Sequence, residues 1–324
     1  LAVALSQLYA LIADDMLGVD AVIRARLYSD VSLVRQVAEY IVGGGGKRMR
    51  PALVLLAAGA TGYRGNHKHD IAAIVEFIHT ATLLHDDVVD ESELRRGRET
   101  ASALFGNAAS VLVGDFLYSR AFQMMVTVGS MRVMEVVAEA TNVISEGEVL
   151  QLMNCHNADV RIEDYLQVIR YKTAKLFEAA SRLGAILAGA ETQAEDGLAR
   201  YGMHLGTAFQ LIDDVLDYSG AEAETGKHLG DDLAEGKPTL PLIHVIQHGS
   251  PAQADCVRRA IEEGGRSAFP EVLAAIHATQ ALDEARRLAE QEAASAAAAI
   301  ACLPDSPYKE SLLQLSLFAV SRNY

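Results

Sequence analysis

HTATLLHDDVVDESELRRGRET, residues 79–100, decides how the rest of the chain is read. Its first half continues a pattern in which Ile71, Ile74, Phe77, Ile78, Ala81 and Leu84 recur at helical spacing. On such a helix Asp86 and Asp90 are four residues apart, so their carboxylates leave one face a turn apart, with Asp87 beside them. Like charges at that spacing destabilise an isolated helix by a few tenths of a kcal/mol and raise each other's pKa when partly buried. A divalent cation removes both penalties. All-oxygen donors suit magnesium, which fills most of its octahedral positions with water and phosphate oxygens.

QLIDDVLDYSG, residues 210–220, repeats the geometry with Asp213, Asp214 and Asp217. One such motif in a helical protein usually marks a solvated acidic face; two, both set among apolar residues, point to metal. Basic clusters accompany them. GGGGKRMRP places Lys47, Arg48 and Arg50 beside a glycine run, and Arg95 and Arg96 follow the first motif. Arginine forks onto phosphate, lysine supplies a mobile point charge, and glycines let backbone N–H groups approach an anion. Together the clusters indicate magnesium diphosphate.

The composition agrees. Of 324 residues half are hydrophobic and 6% aromatic, with no tryptophan, which favours an all-α protein over a sheet. The formal charge of −15 repels nucleic acid and anionic membranes at long range, so no nucleic-acid partner is expected. Cys155, Cys256 and Cys302 show no disulfide or zinc spacing, which fits a cytoplasmic location. Asp115 and Arg120 interrupt the apolar region 108–128, so no transmembrane segment is expected. The opening LAVALSQLYALIADDMLGVD reads as an amphipathic helix without the basic start of a signal peptide, and its first residue leaves the natural start open.

Helices are expected to end at Gly43–Gly46, to restart near Pro51, to run from Asn107 to about Gly129, and then over about 131–153, 162–189, 194–219, 239–248, 270–303 and 308–322. No linker divides the chain, which reads as a single domain over 1–324. The alanine run 293–301 reads as a packed helix. His85, His156 and His204 are expected to be satisfied core groups, His67 and His69 a loop pair, Asp115 a buried hydrogen-bonding group, and Asp231 and Asp232 loop acids near the second motif.

These motifs, with GNAASVLVGDFLYSRAFQMM, EGEVLQL, YKTAKLFEAA and GDDLAEGKPTLPL in order, resemble the trans-isoprenyl (polyprenyl) diphosphate synthases over nearly the whole length. The resemblance implies a single-domain isoprenoid synthase helical bundle around a central active-site cavity. It also implies head-to-tail condensation of isopentenyl diphosphate onto an allylic diphosphate such as farnesyl diphosphate, with about three magnesium ions per site. Asp86, Asp87, Asp90, Asp213, Asp214 and Asp217 would bind the metal. Arg95, Lys172, Thr173, Gln210, Lys227 and Lys237 match positions at the allylic diphosphate or its metals; Lys47, Arg50, His79 and Arg96 match those holding isopentenyl diphosphate. Arg48 belongs to the same basic cluster. The helical wheel supports His79, seven residues before Asp86, and Gln210, three before Asp213. The family also suggests a homodimer and transient membrane contact for product release.

Product length should follow the space below the first motif. Short-chain members of the family usually carry bulky aromatics where this chain has Ala81 and Thr82, so the tunnel is expected to pass farnesyl and geranylgeranyl lengths. A 20-residue helix is about 30 Å long, so a tunnel along it could hold many isoprene units; the expected product has about eight to ten units, an octaprenyl or nonaprenyl quinone side-chain precursor such as that of ubiquinone. Met125 and Val137 are candidates for the tunnel floor. The alternative is a geranylgeranyl or farnesyl diphosphate synthase. LIDDVLDY argues against a terpene cyclase, GGGGKR against a head-to-head synthase, and two intact aspartate motifs against a regulatory subunit.

Overall fold

The leucine- and alanine-rich segments fold as helices throughout the computed structural model, which describes residues 5–44, 46–95, 97–219 and 229–322. In order these are α1 (Leu5–Tyr9), α2 (Ala13–Arg26), α3 (Ser32–Gly43), α4 (Met49–Ala60), α5 (His67–Val89), α6 (Ala101–Phe105), α7 (Asn107–Val128) and α8 (Met131–Asn154). Next come α9 (Ile162–Ile169), a π turn (Arg170–Ala174), α10 (Lys175–Leu187), α11 (Thr192–Ser219) and α12 (Asp231–Ala234). The chain ends with α13 (Leu240–His248), α14 (Pro251–Glu263), α15 (Phe269–Ala278), α16 (Ala281–Ala299) and α17 (Pro307–Ser321). Among the described residues, strand is confined to a hairpin of β1 (Leu94–Arg95) and β2 (Arg98–Glu99) that pairs Leu94 with Glu99 and Arg95 with Arg98. The protein is all-α.

Two compact units are distinguished. Described residues within Leu1–Thr141, Leu176–Gly202 and Ala297–Leu315 form one; those within Asn142–Lys175, Met203–Ala296 and Ser316–Tyr324 form the other. In the first, α4 and α5 are the interior. Leu53, Leu55, Leu56, Ile71, Ile74 and Phe77 are fully buried, each aliphatic side chain contributing about 1.5–3 kcal/mol. Helix α5 packs along α7, which buries Val113, Leu117 and Ala121. Gly129, at φ 71°, ends α7 with its N–H on the Met125 carbonyl. In the second unit, Leu211, Ile212, Val215 and Leu216 of α11 join Tyr165 and Ile169 in one cluster, and Leu242, Val257 and Ile276 centre another.

Several boundaries differ from the sequence reading. The segment 162–189 is helical from Ile162 to Leu187, with a π turn at Arg170–Ala174 set into it. The expected 270–303 helix is two, broken where Gln280 adopts φ 55°. Helix α14 went unread, although Ser250, Pro251 and Gln253 give it a complete capping box. His67 and His69 are not in a loop but in the first turn of α5, and His69 lies 2.8 Å from Asp15. Asp115 is not buried. Its side chain is 62% exposed on the outward face of α7, 3.3 Å from His85, because the adjoining Leu112 and Val111 also face out. The alanine run does pack: Ala285, Ala289, Ala293 and Ala296 form the buried stripe of α16.

Candidate active site

Both aspartate motifs lie at the C-terminal ends of long helices. Asp86 and Asp87 are in the last turn of α5, and Asp90 is its C-cap residue, its N–H donating to the Asp86 carbonyl at 2.8 Å. Asp213, Asp214 and Asp217 occupy the last two turns of α11. A helix C-terminus carries partial negative charge, so each exposed carboxylate there costs about 0.3–1 kcal/mol. Evolving three acids onto such an end creates demand for a cation.

Within each motif the middle aspartate behaves differently from its neighbours. Asp87 is 1% exposed, and its Oδ1 accepts from Arg95 Nε at 2.7 Å and Nη2 at 2.6 Å. The β hairpin thereby returns Arg95 to the helix it follows, with Thr100 Oγ1 donating to the Ser92 carbonyl at its base. Asp86 and Asp90 are half-buried. Asp214 is 3% exposed; its Oδ2 accepts from Tyr165 at 2.5 Å and its Oδ1 from Gln210 Nε2 at 2.8 Å. Burial, then the Asp232 charge, push its carboxyl up to about 8 against the pull of those two hydrogen bonds. Asp213 and Asp217 remain partly accessible.

In the first unit, Arg50 Nη1 donates to His79 Nε2 at 3.0 Å, which places the imidazole proton on Nδ1. Arg50 also lies 4.5 Å above the Phe177 ring. The carbonyl of Lys47 accepts from Tyr9 at 2.8 Å, beside a cavity of about 360 Å³ lined by Ala13, Met16 and Gly46 among others. Arg48, at φ 48°, turns inward, 2.7 Å from Glu76 and 3.9 Å from Asp20. Ala81 is fully buried, and so are Met125 and Val137; Thr82 donates to the His79 carbonyl at 2.7 Å. Arg96 lies outside the described residues.

In the second unit, the π turn presents Lys172 and Thr173. Lys172 Nζ lies 2.6 Å from both Gln151 Oε1 and Glu148 Oε2, and Thr173 donates to Gln210 Oε1 at 3.1 Å. Gly147 lets the π turn pack this closely, since a Cβ there would sit 2.6 Å from the Lys172 backbone nitrogen. Asp217 accepts from the backbone N–H groups of Asp231 and Asp232 at 3.2 and 3.3 Å, which places those acids beside the second motif as expected. Lys237 Nζ pairs with Glu235 at 2.5 Å. Lys227 lies outside the described residues. His204 is satisfied by Glu292 at 2.5 Å and His156 by the Ile261 carbonyl at 3.1 Å.

The sequence reading missed Tyr165, Glu76 and Arg322. Arg322 is buried: it donates to Asp213 Oδ1 at 2.9 Å and to the Phe209 carbonyl at 2.8 Å, and stacks 3.6 Å from the Phe209 ring. A lone base ending the apolar run LLQLSLFAVSR was the available signal. The EGEVLQL motif supplies Glu148 and Gln151, the partners of Lys172.

Comparison with known proteins points one way. The sequence profile of the polyprenyl synthetase family matches residues 31–279. The octaprenyl diphosphate synthase of Escherichia coli is 57% identical over 98% of this chain and 99% of its own. The all-trans-nonaprenyl-diphosphate synthase of Rhodobacter capsulatus is 46% identical over 96% of each. A polyprenyl synthase from Caulobacter crescentus, crystallised with calcium and isoprenyl diphosphate, superposes with a TM-score of 0.97 at 46% identity over 100% of this chain and 99% of that one.

Proposed function

The chain belongs to the polyprenyl synthetase family, and on that premise we propose which of its residues do the chemistry and what it makes. It is a prenyltransferase, a long-chain all-trans polyprenyl diphosphate synthase acting on isoprenoid diphosphates. The product we propose is octaprenyl diphosphate, with nonaprenyl next, built from farnesyl and isopentenyl diphosphates for a quinone side chain. Identity of 57% to an octaprenyl-forming relative, against 46% to a nonaprenyl-forming one, supports that order.

The observation that carries the assignment is the pair of acidic helix ends, each with accessible outer carboxylates and a buried middle one. Their all-oxygen donor set fits a hard divalent cation, and magnesium is the proposed one. Asp86 and Asp90 would hold magnesium on α5, and Asp213 and Asp217 would hold a further magnesium on α11. When bound, magnesium supplies Lewis-acid stabilisation of the departing diphosphate. Asp87 and Asp214 have turned their carboxylates to protein donors and position those donors.

Arg95, Lys172, Thr173, Gln210 and Lys237 bind the allylic diphosphate, and Lys227 belongs to the same set. As its carbon–oxygen bond breaks, the electron pair leaves with the diphosphate, and the arginine and lysines of this set stabilise the charge while Thr173 and Gln210 supply neutral polar contacts. Lys47, Arg50, His79 and Arg96 hold isopentenyl diphosphate, whose double bond attacks the allylic cation. The proton then lost passes to the released diphosphate. Arg48, drawn to Glu76 and Asp20, shapes the loop that carries Lys47. Ala81 and Thr82 leave the product path open, and Met125 and Val137 bound it.

We further propose that residues 1–324 act as one catalytic domain, since α8, α10, α11, α16 and α17 each carry residues of both units. A homodimer is proposed on the exposed Leu104, Leu112, Val126 and Met131. Among the described residues no helix is long and apolar enough to cross a membrane; a cytoplasmic enzyme that releases its product by transient membrane contact is the proposed setting. The test is elongation. Purified protein with magnesium, farnesyl diphosphate and labelled isopentenyl diphosphate yields all-trans products beyond geranylgeranyl length, and folded protein that adds no units refutes the assignment.

A further inference from the structure

Tyr165 has no part in the reaction as described, yet it closes a ring of hydrogen bonds behind the allylic-diphosphate contacts. It is buried on α9, and its hydroxyl donates to Asp214 Oδ2 at 2.5 Å. The other oxygen of Asp214 accepts from Gln210, and Gln210 accepts from Thr173. Thr173 adjoins Lys172 in the π turn that continues α9 without a break. The bonds therefore leave α9, cross α11 and return to the same continuous helix at the turn that carries both proposed ligands. π turns are rare and occur mostly as single turns inside α-helices, frequently at functional sites. Here Tyr165 anchors the stretch before the turn and Thr173 the turn itself.

We propose that Tyr165 is a positioning residue for the allylic diphosphate: through Asp214 and Gln210 it fixes the π turn that presents Lys172 and Thr173. It touches neither substrate nor metal. Without its hydroxyl, Asp214 keeps only the Gln210 hydrogen bond, and nothing ties that pair back to α9. Asp214 and Gln210 are then free to turn together, and the Thr173 bond is the one that yields. This inference rests on the prenyltransferase reading of the same site.

The test uses the full-length Tyr165→Phe protein, with circular dichroism confirming its fold. KM for farnesyl diphosphate rises about tenfold, the scale of one lost hydrogen bond to a charged group. KM for isopentenyl diphosphate stays within about twofold, because the hydrogen bonds described for Tyr165 lead to Asp214, Gln210 and Thr173 and not to the residues proposed for that substrate. Calorimetric binding of inorganic diphosphate with magnesium weakens by about the same tenfold factor. Two KM values that rise together, or neither rising, overturn the proposal. Asp214→Asn keeps an oxygen to accept from Tyr165, and a flip of the Gln210 amide lets its Oε1 accept from the new NH2 while its Nε2 donates to Thr173 Oγ1, so it raises the allylic KM less than Asp214→Leu does; equal defects also overturn the proposal. Should the wild-type protein fail to elongate, the family reading of product fails, and the diphosphate titrations alone decide the role of Tyr165.

Discussion

Replacing Ala81 with tyrosine should convert a long-chain enzyme into a short-chain one. Ala81 lies five residues before Asp86 on α5, which at 1.5 Å per residue is about 7.5 Å along the helix. From Asp86 the helix runs back to His67 over 19 residues, about 28 Å, so Ala81 stands within the first third of that length. A tyrosine ring at 81 therefore stops growth at geranylgeranyl length or shorter. Ala81 is fully buried, so the added volume also strains the packing, at a typical cost of about 1–3 kcal/mol. The melting temperature drops while the fold is retained. Liquid chromatography with mass detection, run on products made from farnesyl and isopentenyl diphosphates, reads the change directly. A folded, active Ala81→Tyr protein with an unchanged long-chain product would show that the growing chain does not pass this side of α5.

Asp86→Ala and Asp213→Ala each remove an accessible outer carboxylate, so each lowers turnover by several orders of magnitude with helicity intact; a mild kinetic effect at either position refutes its metal role. Arg95→Ala strips the guanidinium from the buried Asp87 carboxylate and should cost about 3–5 kcal/mol in chemical denaturation, a loss that Asp87→Asn in the same chain partly restores. Gly147→Ala places a methyl 2.6 Å from the Lys172 nitrogen, so the π turn shifts and the allylic KM rises; an unaltered KM would mean that the contact relaxes freely. Asp15 gives a pH signature. Burial raises its pKa, but hydrogen bonds from Lys68 and His69 outweigh it and hold the carboxyl below its ordinary 3.8. Its stabilisation is present above that value and is lost as pH falls through the depressed pKa. Asp15→Asn should therefore lower stability at pH 7, and the gap to wild type should close on acidification below about pH 4; a gap independent of pH rules out the ion pair as its cause.

The helices were legible because leucine and alanine at three- and four-residue spacing leave few alternatives, and the acidic motifs because carboxylates four apart share a face. What could not be read is which aspartate of each triplet turns inward. Asp86, Asp87, Asp213 and Asp214 have the same local pattern, and the choice is made by Arg95 in the hairpin and by Tyr165 on another helix. Arg322 reaches Asp213 across 109 residues of sequence, a pairing that no local rule finds. The π turn at 170–174 lies in an unbroken helical pattern; a bond from Thr173 to Gln210 and the close approach of Gly147 hold it, and both are tertiary. Asp115 was misread because apolar neighbours in sequence were taken as burial, whereas Val111 and Leu112 face outward with it. Helix α14 is a different case: Ser250, Pro251 and Gln253 announced it, and its polar face obscured the periodicity of Val257, Ala260 and Ile261.

The central claim is that this chain extends an allylic diphosphate to a long all-trans polyprenyl chain. A mass spectrum of the product made by the purified protein from magnesium, farnesyl diphosphate and isopentenyl diphosphate tests it most directly. The account predicts octaprenyl diphosphate as the main species. A product that stops at farnesyl or geranylgeranyl length, or no product from folded protein, would contradict it.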